Sequence, residues 1–167
     1  MKWSKTALSV LSIAVVGFLA LGLATTLASA TTSTTTVAVT ANVVSDCTIS
    51  TTPLGFGDYT GAVNNATSTF TITCSNGSGY SVGLDAGTTT GASVSSRLMA
   101  GPGAPTLSYT LYSDSGRTTN WGNTSGTWVT GTGIGSSQTI TVYGQIPASQ
   151  FVPVGAYSDS ITATITY

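Results

Sequence analysis

The side chains of this 167-residue sequence that could carry chemistry are few. Histidine and glutamate are absent, and both lysines lie within the first five residues, so residues 31–167 cannot assemble a serine triad or a lysine-assisted nucleophile. Two aspartates could still serve as general acid and base, as in glycosidases and aspartic proteases. The available carboxylates are Asp46, Asp58, Asp85, Asp114 and Asp159.

Each of these aspartates lies beside residues that are typical of turns, as in "SDC", "GDY", "LDAG", "SDSG" and "YSDS". A short carboxylate in such a position accepts hydrogen bonds from nearby backbone N–H groups and stabilises the turn. No Gly-rich turn opens a helix or precedes a lysine, so a phosphate loop is not indicated. We therefore expect a protein that is not an enzyme and that carries no cofactor.

The two cysteines, Cys47 and Cys74, are 27 positions apart. In an exported chain, oxidising conditions would allow them to form a disulfide, which would stabilise the fold by about 3 to 4 kcal/mol. Two unpaired buried thiols are the alternative. A metal site is less favoured, because two thiols without histidine rarely hold zinc.

The first thirty residues predict a secretory signal peptide. Two lysines precede an apolar stretch at residues 7–24, and the segment closes on the small residues "ASA" at 28–30. We expect cleavage after Ala30. The alternative is an uncleaved transmembrane anchor, since 18 mostly apolar residues are just long enough to span a bilayer.

Cleavage would leave 137 residues, a length that suits one domain with a sizeable core. The charged side chains that remain would be Arg97, Arg117 and five aspartates, so the net charge would be 2 minus 5, or −3. Two arginines form no basic surface, so we expect neither nucleic acid nor, after signal cleavage, a membrane among the partners.

Beyond Ala30 the sequence predicts strands, because apolar residues alternate with polar ones in short runs that are separated by turn residues. Several such runs predict an all-β sandwich, and "NGSG" at 76–79 predicts a hairpin between the first two of them. A further short strand is expected around 127–130. The inward-facing sets are Phe70, Ile72 and Cys74; Tyr80, Val82, Leu84 and Ala86; Leu107, Tyr109 and Leu111; Ile140, Val142 and Ile146; and Ile161, Ala163, Ile165 and Tyr167.

One alternating run is too long for a domain of this size. Residues 36–50 would make a strand of about 15 residues, near 50 Å in length, whereas strands usually contain about 3 to 10 residues. The excess half either pairs elsewhere or belongs to the chain's own sheet. Polar strand positions carry mainly Thr and Ser, so the sheet edges lack the lysines that commonly block strand addition.

The tryptophans Trp121 and Trp128 lie in a Gly, Ser and Thr-rich segment. Their rings could stack on sugars, which would make the chain a carbohydrate-binding module. Packing of this loop onto the sandwich is the other reading.

A series of motifs along residues 54–167 resembles the spore coat protein U domain, the domain of subunits in archaic chaperone-usher pili. Their order and spacing make the resemblance specific. The motifs are "LGFGDY" (54–59), "ITCSNGSGYSVGLDAG" (72–87), "SRLM" (96–99), "LSYTLYSD" (107–114), "NWG" (120–122), "VYGQIPASQ" (142–150) and "GAYSDSITATITY" (155–167).

The resemblance implies an incomplete immunoglobulin-like β-sandwich at 46–167, preceded by a donor-strand extension at 31–45. In that family a periplasmic chaperone fills the gap in the sandwich, and an outer-membrane usher then gives the groove to the extension of the next subunit. The donor residues would be Val37, Val39, Ala41 and Val43.

The resemblance further implies a Cys47–Cys74 disulfide and chaperone or groove contacts from the C-terminal strand at 160–167, through Ile161, Ala163, Ile165 and Tyr167. It implies secretion through the periplasm to a surface pilus that supports adhesion or biofilm formation. The alternative within the same family is a secreted spore or cell coat protein that never enters a pilus.

Overall fold

The structure is a computed structural model that describes residues 29–167. Apart from Ser29 and Ala30, the predicted signal peptide at 1–30 lies outside the described residues. Among the residues described, no helix is long and apolar enough to cross a membrane. The chain divides after Thr40 into two units, and every strand of the described part lies in the second unit, Ala41–Tyr167.

The second unit is an all-β sandwich of two antiparallel sheets, as the alternation predicts. The larger sheet has the strand order β1-β2-β7-β5-β4, and the smaller sheet has the order β6-β3-β8. The strands are β1 (Cys47–Thr51), β2 (Asn64–Cys74), β3 (Gly79–Leu84), β4 (Arg97–Ala100), β5 (Thr106–Tyr112), β6 (Val129–Thr132), β7 (Ser137–Ile146) and β8 (Ala163–Thr166).

The core lies between the two sheets and is built from alternate residues of each strand. Ile72 of β2, Val82 and Leu84 of β3, and Ile146 of β7 are fully buried, whereas the Thr and Ser residues between them mostly face outward. Each such side chain contributes about 1.5 to 3 kcal/mol through burial. The predicted inward faces of these strands are therefore confirmed.

The predicted hairpin at 76–79 is wrong. β2 pairs with β1 and β7 in the larger sheet, whereas β3 pairs with β6 and β8 in the smaller one. The turn between them, closed by a hydrogen bond from Ser78 N–H to the Ser75 carbonyl (3.1 Å), thus crosses from one sheet to the other. Alternation identifies the buried face of each strand, but it does not identify the neighbour that receives its backbone hydrogen bonds.

The long alternating run at 36–50 is not one strand. Residues 29–46 belong to no strand, and β1 begins at Cys47, which lies directly opposite Cys74 in the pairing with β2. The two cysteines form a disulfide, so this prediction is confirmed. The C-terminal strand is also shorter than the predicted 160–167, since β8 covers only Ala163–Thr166.

A buried arginine connects the two sheets. Arg97, in the edge strand β4, is 0% exposed. Its guanidinium donates to the carbonyl oxygens of Leu84 (3.2 Å), Asp85 (2.8 Å), Val94 (2.9 Å) and Trp121 (2.7 Å). Burial lowers the pKa of Arg97, but a guanidinium stays charged at any working pH. Four carbonyl groups therefore depend on this one side chain for a hydrogen-bond donor.

Replacing Arg97 should test this dependence. Arg97→Met leaves buried carbonyl groups without donors, so we expect a loss of at least about 3 kcal/mol in the free energy of unfolding. The matched control is Arg117→Met, which removes a half-exposed guanidinium that donates to the Gly144 carbonyl of β7 (3.2 Å), and should cost about 1 kcal/mol. Urea unfolding followed by tryptophan fluorescence measures the stability of both variants. Equal losses in the free energy of unfolding would contradict the role assigned to Arg97.

Candidate functional site

A groove of about 1720 Å³ opens between the two sheets of the sandwich. Apolar side chains line it, including Leu54, Phe56, Met99, Val152 and Ile161, and all five are only partly buried. Small-molecule sites usually measure about 300 to 1,000 Å³. The size and the open apolar lining are better suited to a segment of polypeptide.

The groove exists because the two sheets have unequal numbers of strands. Five strands form one layer and three form the other, so the inner face of the larger sheet extends beyond the smaller one. β8 is an end strand of the smaller sheet and pairs with β3 on one side only, and β1 of the larger sheet comes near it. The other edge of β8 presents backbone groups that an added strand could pair with.

Two irregular segments, residues 52–62 and 147–160, form walls of the groove, and they are tied to each other. The Tyr59 hydroxyl donates to the Pro147 carbonyl (2.6 Å) and accepts the Gln150 N–H (3.1 Å). The Gln150 side chain accepts the N–H of Ser108 in β5 (2.8 Å) and donates to the Ser108 carbonyl (2.9 Å). These bonds hold the walls in place without a ligand.

The Phe56 ring lies directly on the backbone of β7. A Cβ atom at Gly144 would be 2.8 Å from Phe56 Cζ and 3.2 Å from Leu54 Cδ1, so a larger residue would displace the Phe56 ring. The same ring packs edge-on against Tyr109, with 6.1 Å between centroids. The strand pattern gave no signal for this contact, because Gly144 reads as an ordinary core position of β7.

Tyr109 and Asp159, which both line the groove, form a hydrogen bond with each other. The Tyr109 hydroxyl donates to Asp159 Oδ2 (2.8 Å), and Asp159 Oδ1 accepts from the backbone N–H (2.9 Å) and the hydroxyl (3.1 Å) of Thr88. Burial raises the pKa of Asp159, but hydrogen bonds from Tyr109, Thr88 and Ser160 outweigh it and lower the pKa overall. Burial and the adjacent Asp159 raise the pKa of Tyr109.

Two further aspartates, Asp85 and Asp114, stabilise turns, as the sequence predicts. Asp85 Oδ1 accepts the N–H of Gly87 (3.0 Å), and Asp114 Oδ1 accepts the N–H of Thr118 (3.1 Å) and of Thr119 (2.6 Å). Hydrogen bonds from Thr119 and Thr118 lower the pKa of Asp114 despite some desolvation. Within residues 29–167, no group of three or more acidic, cysteine or histidine side chains could hold a metal ion.

The residues predicted to form the donor strand are exposed. The exposed fractions are 81% for Val37, 90% for Val39 and 89% for Val43, and Ala41 is exposed as well. None of them belongs to a strand. This run of valines therefore leaves apolar surface in contact with water.

The four C-terminal residues predicted as contacts divide into two groups. Ile161 and Ala163 line the groove. Ile165 is half-buried against the core of the sandwich, and Tyr167 is exposed at the end of the chain. The structure therefore places two of the four at the groove.

The sugar-stacking reading fails for Trp121. This side chain is 0% exposed, its Nε1–H donates to the Val82 carbonyl (2.8 Å), and its ring packs edge-on against Phe70 at 5.6 Å. Trp128 is partly exposed, but its ring lies against Gly83, where a Cβ atom would be 3.2 Å from Cδ1 and Nε1. Both rings pack on the sandwich, and one exposed edge does not make a sugar platform.

Comparison with known proteins gives a family match and a partial relative. The family model described as Spore Coat Protein U domain matches residues 33–164. Protein U of Myxococcus xanthus is 49% identical over 61 residues, which are 36% of this chain and 34% of that protein. The match thus spans about a third of the relative's length.

Two solved structures align with most of this chain. One is the CsuC–CsuE chaperone–tip adhesion subunit pre-assembly complex from archaic chaperone-usher Csu pili of Acinetobacter baumannii, with TM-score 0.58 and 21% identity over 75% of this chain and 40% of that one. This likeness shows a shared fold. The Escherichia coli Hda pilus minor tip subunit HdaB matches 72% of this chain and 79% of its own, at 18% identity and a TM-score of 0.33, which is too low to support an argument.

Protonation of Asp159 should destabilise the groove lining. The pKa of Asp159 is lower in the folded chain than the ordinary value of about 3.9, so its stabilising contribution is complete above about pH 4 and is lost as the pH falls through the folded pKa. We expect Asp159→Asn to be less stable than wild type at neutral pH and to lose less stability on acidification. Denaturation midpoints between neutral pH and about pH 3 measure this.

The matched control is Asp58→Asn, which removes an exposed carboxylate from the groove rim. This variant should keep the wild-type loss of stability in acid. An Asp159→Asn variant with the same acid dependence as wild type would contradict the prediction.

Proposed function

Because the chain belongs to the spore coat protein U domain family, we propose that it is a structural subunit of a surface pilus assembled by chaperone-usher donor-strand exchange. The observation that carries the proposal is the apolar groove beside the unpaired edge of β8. A sandwich with such a gap is one strand short. The chain itself contains an exposed segment with the composition of the strand that is needed.

The proposed donor strand includes Val37, Val39, Ala41 and Val43, within an extension at 31–45. Their alternation places the four side chains on one face, and β-strand addition uses this arrangement, with main-chain bonds for affinity and alternate side chains in pockets. Burial of three Val and one Ala would release about 5 to 9 kcal/mol. Each backbone hydrogen bond to β8 would add about 0.5 to 1.5 kcal/mol.

Donation to a second copy makes a filament. The donor segment and the acceptor groove are different surfaces of the same chain, so the contact is head-to-tail. A head-to-tail contact that does not close into a ring repeats indefinitely. The chain at 46–167 is then one domain of a polymer, and residues 1–30 are the signal that exports it.

Before two subunits join, the groove of the accepting subunit needs a temporary occupant. Its half-buried apolar lining would otherwise favour non-specific association between subunits. In the proposed pathway a periplasmic chaperone fills it and an outer-membrane usher exchanges the chaperone for the donor strand of the next subunit. Ile161 and Ala163 line the groove and are the first candidates for contact, with Ile165 and the exposed Tyr167 in the following positions.

The assembled product would be a surface fibre that supports adhesion or biofilm formation, and no step of this function requires an enzyme. A second candidate is a coat protein that covers a spore or cell without entering a pilus. The relation to Protein U and the description of the family favour it. The two candidates differ in whether groove filling by a second copy produces filaments.

Polymerisation should depend on the apolar face of the extension. We expect deletion of residues 31–43, with the signal peptide retained, to give an exported, chaperone-bound subunit that does not polymerise. Val39→Asp should have the same effect, because an unpaired carboxylate would enter an apolar groove. Electron microscopy of surface fibres and resistance of polymers to dissociation in detergent measure the result.

The matched control is Thr40→Asp, which places the same charge on the opposite face of the proposed strand. This variant should polymerise as wild type does. Intact filaments from the deletion, or equal loss from both aspartate variants, would contradict the donor assignment. A wild-type chain that is exported but forms no filaments would favour the second candidate, a coat protein.

A further inference from the structure

Residues 44–46, at the end of the donor extension and just before β1, are attached to the sandwich by contacts that strand exchange itself does not require. Ser75 follows β2, and its Oγ accepts the N–H of Asp46 at 3.2 Å. The Ser75 N–H donates to the Asp46 carbonyl at 2.9 Å. The Ser75 hydroxyl also lies 3.4 Å from the Val44 carbonyl and 3.5 Å from that of Asp46. These bonds extend the attachment of the chain from the disulfide at Cys47 back to Val44.

Ser75 is itself fixed by the turn that follows β6. A Cβ atom at Gly133 would be 2.6 Å from Cβ of Cys74, so this backbone packs directly on the end of β2 with no room for a side chain. The Gly135 N–H donates to the Cys74 carbonyl (3.2 Å), and the Gly77 N–H donates to the Gly133 carbonyl (2.9 Å). We call residues 44–46, 74–77 and 133–135 the collar.

The collar leaves no flexible linker between joined subunits. Val43 is the last residue proposed to enter the neighbouring groove, and the Val44 carbonyl already lies 3.4 Å from the Ser75 hydroxyl of its own domain. The angle between two domains is free only when residues between them can rotate. The direction of the chain at residue 44, where it leaves the collar, therefore sets the direction of the donor strand.

We infer that Ser75 is a positioning residue that fixes the direction of the donor extension and thereby sets the angle and stiffness of the joint between successive subunits. This role rests on the proposed function, since it requires the donor strand of one copy to lie in the groove of a second copy. Ser75 contacts neither the donor face nor the groove. Its effect is on the geometry of the filament, not on whether the filament forms.

Removal of the hydroxyl converts residues 44 and 45 into a short linker. In Ser75→Ala the Asp46 N–H loses its acceptor at Oγ and the Val44 carbonyl loses its donor, while the Ser75 backbone bond to Asp46 remains. We expect the population of alternative joint angles to rise about fivefold, which corresponds to about 1 kcal/mol at 25 °C.

The experiment compares filaments of the full chain by electron microscopy, with the distribution of angles between successive domains as the readout. Ser75→Ala should broaden this distribution, and Ser75→Thr, which keeps the hydroxyl, should restore it. The matched control is Ser78→Ala in the same turn. Ser78 Oγ is buried without a hydrogen-bond partner among the described residues, so its removal should leave the angles unchanged.

A second readout separates positioning from a general effect on stability. The temperature at which filaments dissociate should be the same for Ser75→Ala and wild type, because neither the donor face nor the groove changes. Wild-type angles in Ser75→Ala filaments, or equal broadening by Ser78→Ala, would overturn the inference.

Hydrogen exchange in wild-type filaments tests the collar without any variant. The Asp46 amide should be protected by its bond to Ser75, and exchange at the rate of an unbonded amide would overturn the inference even if Ser75→Ala failed to fold. A wild-type chain that forms no filaments would instead refute the proposed function, which is a different outcome.

Discussion

The free edge of β8 beside an apolar groove is the constraint on which the rest of this structure depends. A sandwich normally covers both inner faces, but here a three-stranded sheet faces a five-stranded one. Part of the larger sheet is covered by irregular segments and not by a strand. In the proposed assembly another strand beside β8 would complete the core, and this would connect the stability of one copy to the presence of a partner.

The remaining features allow the incomplete sandwich to keep its shape. The disulfide closes β1 onto β2, and Arg97 of the larger sheet donates to the carbonyl groups of Leu84 in the smaller sheet and of Trp121 in a loop. Tyr59 and Gln150 hold the two wall segments against β5. A groove whose walls are fixed in advance loses less conformational entropy when a strand enters it.

The near absence of charge also fits a strand-accepting surface. Natural sheets with open edges commonly carry lysine or other charged side chains that prevent pairing with foreign strands. Of the two arginines at 31–167, one is buried in the core and the other lies in a loop after β5. Threonine and serine thus give a polar outer surface without the repulsion that would oppose contact between copies.

The sequence by itself determined the local structure. Alternation identified the buried faces of β2, β5 and β7, Asp85 and Asp114 marked turns, and the cysteines indicated the disulfide, because each of these depends on residue type and short-range spacing. The tertiary structure decided which strands pair. It sent β3 into a different sheet from β2, buried Trp121 and Arg97, began the first strand only at Cys47 and placed Gly144 under Phe56. These outcomes depend on contacts between residues far apart in the chain, and no periodicity within one segment encodes them.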